Sequence, residues 1–355
     1  MDTRFKMLLP LLLLTLPAVV QAQFNYTTNT GRITAYNASG ASDEPTYNGL
    51  PLSYWLRDFQ LYRSDTPHPL TDEAKTAVAH IGIVAIPFLL DRIRQGQSAG
   101  FDESGPVEAF RVLGPTAWSA IPELARLATN QPESGPMSAY SAVLALGGIG
   151  PDALPVLLTV LTNTTLQERR IGAIEAIGGI GTNALPALPA LLGCLHDKDD
   201  IVAMFAIGAV GVVGVRQQVA LTALEDILQG SRPGLRSAAL YALSNFGKES
   251  VPALMRASTD TNSGIRNTAR FHLKHVAPEE LTNATALAIA AAGLRSSDPD
   301  RRSYAAEILK RAGRQAGVPS YDPMGPEGHF DPLFWNATNA IRHLAPQLLT
   351  NEPPH

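Results

Sequence analysis

The chain has a single cysteine in 355 residues, Cys194, so no disulfide can form within it. We expect Cys194 to be a small buried apolar side chain. Charged residues make up only 17% of the chain and aromatic residues 6%. There are 28 basic and 32 acidic residues, which gives a net charge of −4. This balance argues against a nucleic-acid partner, because nucleic-acid binders usually carry a basic face.

Motifs of known chemistry are also missing from the sequence. It contains no Gly-x-Ser-x-Gly elbow, no phosphate-cradling loop and no Cys–His nucleophile pair. His272 and His275 can share a helix face, but no third metal ligand follows at a recognisable spacing. We interpret both histidines as packing residues. The sequence therefore predicts no catalytic residue, no metal site and no cofactor.

Residues 1–22 are predicted to be a secretory signal peptide. A positively charged start precedes an apolar run from Met7 to Val20, and small residues lead up to a cleavage site after Ala22. A membrane-spanning helix needs roughly 20 apolar residues, and this run is shorter. No cysteine follows it, which excludes a bacterial lipoprotein anchor. We expect an exported chain that does not span the membrane after cleavage.

One phrase recurs along the sequence: an alanine-rich run, an apolar-Gly step, a short turn, and a second run that opens with Leu-Pro, Ile-Pro or Val-Pro. The glycines that mark it are Gly82, Gly114, Gly150, Gly181, Gly214 and Gly247, of which Gly214 lacks the matching proline. Their period of about 33 residues is typical of a helix–turn–helix repeat. Glycine can end the first helix in a left-handed cap, and proline fits the first turn of the second.

A basic signature opens the first helices of several repeats, and acidic or polar residues often precede it. The arginines are Arg170, Arg236, Arg266 and Arg302. An aspartate in the turn, such as Asp199 or Asp298, can cap the following helix. It can also pair with an arginine of a neighbouring unit. We predict a structural ladder here rather than a ligand site.

The combined pattern Asp-x-x-x-Arg-x-x-Ala-x-x-x-Leu-x-x-x-Gly, followed by Ala-Leu-Pro-x-Leu, resembles the short bacterial HEAT-like repeat, as in phycobilin-lyase-like proteins. Residues 166–195 and 233–256 carry it best, and it covers roughly residues 71–312. Residues 47–56 are similar to the lead-in of exported HEAT-repeat proteins from Gram-negative bacteria. The resemblance implies an all-α, right-handed α-solenoid of about seven hairpins, located in the periplasm or outside the cell.

The expected organisation has six parts. They are a signal peptide (1–22), a flexible polar tether (23–48), an N-terminal helical cap (49–70), the repeat solenoid (71–312), a Gly/Pro-rich insertion loop (313–332) and a C-terminal capping helix and tail (333–355). Ser53 is the expected N-cap of a helix from Leu52 to Leu61. The insertion is either functional or disordered, as long insertions in repeat arrays are.

The expected function is a non-catalytic scaffold whose second helices line a surface for a protein or peptide. The insertion supplies the candidate partner-binding residues, which are Tyr321, Met324, His329, Phe330 and Trp335. One alternative is an enzyme, or a sensor or accessory part of one, with an unrecognised site on the concave face. A cluster of ionisable residues with shifted pKa values would favour it. A weaker alternative is an envelope structural protein that assembles with itself.

Overall fold

The computed structural model describes residues 44–58, 69–96, 104–129, 136–163, 166–275, 284–318 and 332–348. These residues are almost entirely helical, and their contacts divide the chain into two compact units at Gly214. The first contains β1 (Thr46–Tyr47), β2 (Leu50–Pro51), α1 (Leu52–Asp58), α2 (Pro69–Ile81), α3 (Ile86–Gln95), α4 (Ser104–Leu113), α5 (Ile121–Thr129), α6 (Pro136–Ile149), α7 (Leu154–Asn163), α8 (Gln167–Ile180), α9 (Leu188–Cys194) and α10 (Asp200–Val213). The second contains α11 (Gln218–Gln229), α12 (Pro233–Leu243), α13 (Val251–Ala257), α14 (Ser263–His275), α15 (Ala284–Leu294), α16 (Pro299–Gln315) and α17 (Pro332–Leu344).

The helices form successive helix–turn–helix pairs, as an α-solenoid requires, so the predicted fold class is confirmed. In the first unit, α2, α4, α6, α8 and α10 pack against one another in order as a layer of first helices. The second helices α3, α5 and α7 follow one another beside that layer. Because a single pair cannot cover its own apolar face, each pair depends on its neighbours for burial.

Glycine ends the first helix at most repeats, but in a different conformation from the one expected. Gly181 has φ 74° and ψ −145°, and Gly150 has φ 106° and ψ −149°. These values lie outside the left-handed helical region, in a region that is essentially restricted to glycine. Gly214, which lacks the matching proline, has φ −93° and needs no such freedom. A 3-10 turn of three to seven residues then leads into the second helix.

Small residues in the first helices let the helices of the first unit approach closely. A Cβ on Gly147 of α6 would lie 2.7 Å from the Cβ of Ala176 in α8. A Cβ on Gly148 would lie 2.8 Å from the backbone nitrogen of Arg111 in α4. These two glycines therefore hold α6 against both of its neighbours. Gly179 of α8 has no such packing role, because nothing lies within 4 Å of its Cβ position.

The second unit repeats the arrangement with α12 against α14 and α13 against α15. Near its end, α16 packs against α15 and α17. Gly313 belongs to α16, where an added Cβ would lie 2.7 Å from the Cβ of Ala340 in α17. The sequence placed Gly313 at the start of the insertion loop, but it is a helix-packing residue. Close approach, rather than a loop, explains why glycine stands there.

The N-terminal end has a short β-hairpin that the sequence reasoning missed. Thr46–Tyr47 pairs with Leu50–Pro51 around Asn48 and Gly49, both with positive φ. Asn-Gly between two short runs is the usual signal for such a turn. The hairpin thus spans the end of the predicted tether (23–48) and the start of the predicted cap (49–70).

Helix α1 seals the first pair, and its buried side chains Leu52 and Trp55 face α2 and α4. Ser53 is not its N-cap, because the helix already includes Leu52. The backbone N–H of Ser53 instead donates to the carboxylate of Glu44. An N-terminal cap is what a solenoid needs to cover its first apolar face.

Two helical stretches, 72–95 and 167–194, are long and apolar enough to cross a membrane by length and composition. Each is a complete helix pair with a glycine of positive φ at its centre, Gly82 or Gly181. The side chains of Leu89 and Ile174 within them are fully buried in the repeat core. Core helices of a repeat protein satisfy the same length and composition test.

Candidate functional site

Two of the four signature arginines form ion pairs with aspartates in the turns between helix pairs. Arg170 of α8 pairs with Asp197 in the turn after α9. Arg236 of α12 pairs with Asp260 in the turn after α13, and its Nε donates to the carbonyl of Leu228 at 2.7 Å. Each arginine thus ties the start of a first helix to the turn that ends the same pair. The geometry indicates a structural role.

The other two arginines bind backbone carbonyls of the turn just before their own helix. Arg266 Nη1 donates to Asp260 O at 2.7 Å. Arg302 Nη1 donates to Ser296 O at 2.7 Å and to Ser297 O at 2.9 Å. Among the described residues, neither arginine forms the expected ion pair between units. All four side chains are engaged within the repeats.

The turns between pairs use their aspartates as helix caps. Asp199 accepts from Ile201 N at 2.9 Å, and Asp298 accepts from Asp300 N at 2.9 Å. Such caps satisfy backbone donors at the start of α10 and α16. Cys194 is buried with 8% of its surface exposed, and burial is the main cause that raises the pKa of its thiol. The turn after α9 is thus accounted for by capping and packing.

The candidate partner-binding residues of the insertion fall outside what the structure describes. Tyr321, Met324, His329 and Phe330 lie between residues 318 and 332, which are not described. Trp335 is part of the backbone of α17, but its side chain is not among the described ones. These residues remain a prediction from the sequence.

The outward positions of three first helices form an unusual surface, which we term the first-helix face. It consists of Tyr140 and Leu144 of α6, Glu175 and Gly179 of α8, and Phe205, Gly208 and Val212 of α10. These positions recur at spacings of three and four along each helix, so they lie on one side of it. All except exposed Gly179 are partly buried. Outward positions of a surface helix are normally charged or polar. At these positions Glu175 is the one carboxylate, and Tyr140 is the one other polar side chain.

A hydrogen bond between α6 and α8 holds that carboxylate in place. The hydroxyl of Tyr140 donates to Oε2 of Glu175 at 2.8 Å. The Tyr140 ring lies over Gly172, where an added Cβ would meet ring carbons at 3.0 Å. Glycine at 172 therefore makes room for the ring, and Glu175 follows one turn later on the same side of α8. The pair is built from packing as well as from hydrogen bonding.

Burial is the main cause that raises the pKa of the Glu175 carboxyl. The hydrogen bond from Tyr140 and the charge of Arg111 in α4 lower that pKa without overcoming the effect of burial. Arg111 is itself paired with Glu108. Burial also raises the pKa of Tyr140 well above its usual value, so its hydroxyl remains a donor at neutral pH. The neighbouring groups thus offset only part of the cost of burying this carboxylate.

The second-helix layer of the same unit has a different character. Glu123 of α5 accepts from Arg94 of α3 at 2.8 Å and from Arg126 at 2.9 Å. These two hydrogen bonds, that from Arg126 first, lower the pKa of Glu123 to about 2. A network of exposed ion pairs is ordinary for a solvated helix face. The second helices, which the sequence reasoning expected to line the binding surface, are therefore the weaker candidates in this layer.

In the second unit, the histidines of α14 pack against aromatic rings. The ring of His272 lies edge-on to Tyr241 with centroids 4.8 Å apart, and His275 lies 4.6 Å from the ring of Phe271. Burial lowers the pKa of His272 to about 4, so the ring is neutral at pH 7. No group of three or more metal-ligating side chains occurs among the described residues.

The sequence reasoning missed the Tyr140–Glu175 pair for a physical reason. The residues lie 35 positions apart on different helices, so no local spacing relates them. One signal was available, because α6 contains no charged residue and α10 contains only Asp200. A helix that is apolar on all sides is normally buried, so the partly exposed positions of α6 and α10 are unusual for such helices.

Comparison with known families agrees with this architecture. The profile described as HEAT repeats matches residues 154–244 and 188–274. The matched part of the chain, residues 154–274, consists of HEAT-like repeats. The two matches together extend from α7 to α14, so they include α8 and α10 of the first-helix face but not α6. A search of curated proteins finds no match to this chain.

Two solved structures are similar to this chain. One is an engineered protein, with 20% identity and a TM-score of 0.33, which covers 63% of this chain and 96% of its own. The other is the YibA protein of Escherichia coli, with 14% identity and a TM-score of 0.45, which covers 79% of this chain and 100% of its own. The assignment of HEAT repeats rests on the family match and not on these two likenesses.

Proposed function

We propose that this HEAT-repeat chain is a non-catalytic scaffold that binds a protein or peptide on its first-helix face. The observation that supports this most directly is the composition of that face. Leu144, Phe205 and Val212 are partly exposed where a solvated helix would carry charges. Covering an apolar surface of this kind with a partner removes it from water, and this burial favours binding. HEAT repeats provide it on a layer of helices fixed by close packing.

The shape of the surface fits an extended contact better than a deep site. Gly179 and Gly208 have nothing within 4 Å of their Cβ positions, so a partner backbone can approach there. Broad contact spread over several repeats is how solenoid surfaces bind. We also propose, from the predicted signal at residues 1–22, that the scaffold works outside the cytoplasm of a Gram-negative bacterium.

The experiment that tests the binding face compares three forms of the full chain in crosslinking pull-downs from envelope extract of the native host. Gly208→Arg places a cation on the first-helix face without a steric clash. Thr159→Arg places the same side chain on the exposed side of α7, in the second-helix layer. We expect a specific protein that the wild type and Thr159→Arg capture and that Gly208→Arg loses.

Other outcomes of the pull-down are informative. Capture by all three forms would support the scaffold and exclude the first-helix face as its binding site. A further variant that lacks residues 316–330 would then be compared, and loss of capture by this variant would move the site to the insertion. Failure of every form to capture a specific protein would count against a scaffold. N-terminal sequencing of the chain from the envelope fraction tests export, and an intact residue 1 would contradict cleavage after Ala22.

One observation favours a second function class. Glu175 has a raised pKa and a fixed hydrogen-bond partner, which are properties of a general acid. An enzyme or an accessory subunit is therefore the alternative. The test is an activity screen of the wild type beside Glu175→Gln. A turnover that the substitution removes, while the thermal stability is kept, would favour the enzyme over the scaffold.

A further inference from the structure

The first-helix face contains one feature that can distinguish between partners, and the inference drawn from it rests on the proposed function. Its surface is apolar apart from the Tyr140–Glu175 pair. We propose that Glu175 is the specificity-determining residue of this face, and that it forms an ion pair with a lysine or arginine side chain of the bound segment. The chemistry sought in the partner is a single cation flanked by apolar side chains.

The geometry leaves one position on the carboxylate for such a partner. Oε2 of Glu175 accepts from the Tyr140 hydroxyl, and this is its one hydrogen bond among the described side chains. The bond fixes the orientation of the carboxylate, so the second oxygen is presented in a defined direction. Tyr140 cannot turn away easily because its ring is seated over Gly172. Tyr140 is thus a positioning residue for Glu175.

Charge complementarity identifies the partner as a cation. A carboxylate half-buried among apolar groups is costly unless an opposite charge compensates it. Arg111 of α4, the cation whose charge acts on Glu175, is already paired with Glu108. An ammonium or guanidinium group from a partner would supply the missing compensation and can donate to the second oxygen. A carboxylate or phosphate on the partner would be repelled.

The surroundings of Glu175 define the rest of the bound segment. One turn further along α8, Gly179 leaves open space, and the outward side of α10 adds Phe205 and Gly208. No ionisable side chain occupies these neighbouring positions. Apolar partner side chains next to the cation would therefore be buried there, and a second charge close to it would be left without compensation.

The test uses a random dodecapeptide library displayed on phage and panned against the immobilised full chain. The same panning is done with Glu175→Gln, with Gly208→Arg and with the control Asp152→Asn, which removes a carboxylate at an exposed turn. The best peptide is then synthesised with its cation and with norleucine in that place. Its affinity is measured by calorimetry.

We expect the wild type and Asp152→Asn to enrich peptides that have a lysine or arginine between apolar residues. Glu175→Gln should weaken the cationic peptide about tenfold, as the loss of one charged hydrogen bond does. The norleucine peptide should bind both forms with equal affinity. Tyr140→Phe, which keeps the ring over Gly172, should weaken the cationic peptide by a smaller factor.

The outcomes separate this inference from the proposed function. Apolar peptides without a cationic preference, lost by Gly208→Arg, would keep the binding face and overturn the role of Glu175. A cationic peptide that binds Glu175→Gln as tightly as the wild type would overturn it as well. If no peptide is enriched, or if Gly208→Arg binds every peptide unchanged, the first-helix face itself is wrong and the inference fails with it.

Discussion

Arg170 at the start of α8 forms an ion pair with Asp197 in the turn that ends the same helix pair. Arg236 and Asp260 repeat this relationship in the second unit. In both cases the arginine connects the first turn of a first helix with the end of the second helix. The pair therefore closes each repeat by a contact that is independent of the glycine turn between its helices.

The Arg170–Asp197 pair should contribute measurably to stability. Its side chains are only 20% and 12% exposed, so solvent screens their interaction weakly. Asp197→Asn should lower the free energy of unfolding by about 1–3 kcal/mol at pH 7. Urea denaturation followed by circular dichroism measures the change, with the exposed-turn variant Asp152→Asn as the control. Equal effects of the two substitutions would contradict a specific role.

The same pair predicts a pH dependence. The hydrogen bond from Arg170 is the main cause that lowers the pKa of Asp197 below its usual value. A lowered pKa in the folded state gives stability that is present above the unfolded pKa and lost as the pH falls through the folded one. The difference in the free energy of unfolding between the wild type and Asp197→Asn should therefore become smaller below about pH 4.

Two neighbouring glycines should respond to alanine in opposite directions. Gly179 lies inside α8 with open space at its Cβ position, so Gly179→Ala should stabilise the protein by about 0.5–1 kcal/mol. Gly181 has the same open space but φ 74° and ψ −145°. Gly181→Ala should therefore cost about 1–3 kcal/mol. Thermal denaturation of both variants checks this, and shifts of the same sign would contradict the backbone explanation.

Gly147 should be intolerant of alanine for a steric reason. An added Cβ would lie 2.7 Å from the Cβ of Ala176, and both helices are fixed by their other contacts. Gly147→Ala should destabilise the chain by about 1–3 kcal/mol, as overpacking does. The double variant Gly147→Ala with Ala176→Gly removes the clash and should recover part of the loss. No recovery would show that the clash between α6 and α8 is not the cause.

Glu175→Gln should stabilise the protein at neutral pH. The pKa of Glu175 is raised mainly by burial, so the folded state holds the proton more tightly than the unfolded state. The stability of the wild type should fall as the pH rises from the unfolded pKa through the folded one. Glutamine stays neutral and can still accept from Tyr140. The melting temperature of the variant should exceed that of the wild type at pH 7, and the two should be equal at pH 4. A lower melting temperature of the variant at pH 7 would contradict this.

His272 should make the second unit sensitive to mild acid. Its pKa is lowered to about 4 by burial, whereas an unfolded histidine titrates near pH 6.5. The unfolded state binds more protons between these values, so stability should fall by roughly 1–2 kcal/mol from pH 7 to pH 5. His272→Phe keeps an aromatic contact with Tyr241 and should remove this loss. His196→Gln, at an exposed position, should leave it unchanged.

The fold could be predicted because each repeat has local signals for its helices and turns. Gly181, for example, stands at the end of α8. Pro186 is in the 3-10 turn and not in the second helix, because that turn is longer than the sequence suggested. Where the second helix begins depends on how many residues the turn needs to reverse the direction of the chain.

The sequence by itself determined the repeat period, the helical fold class and the residues that punctuate each repeat, because these depend on interactions between residues a few positions apart. Only the tertiary structure decided which helix layer carries the uncharged face, and only it brought Tyr140 to Glu175. That contact joins two helices, α6 and α8. Its geometry depends on how closely Gly147 and Gly148 let α6 approach its neighbours. Interhelix distance follows from packing, which no local pattern encodes.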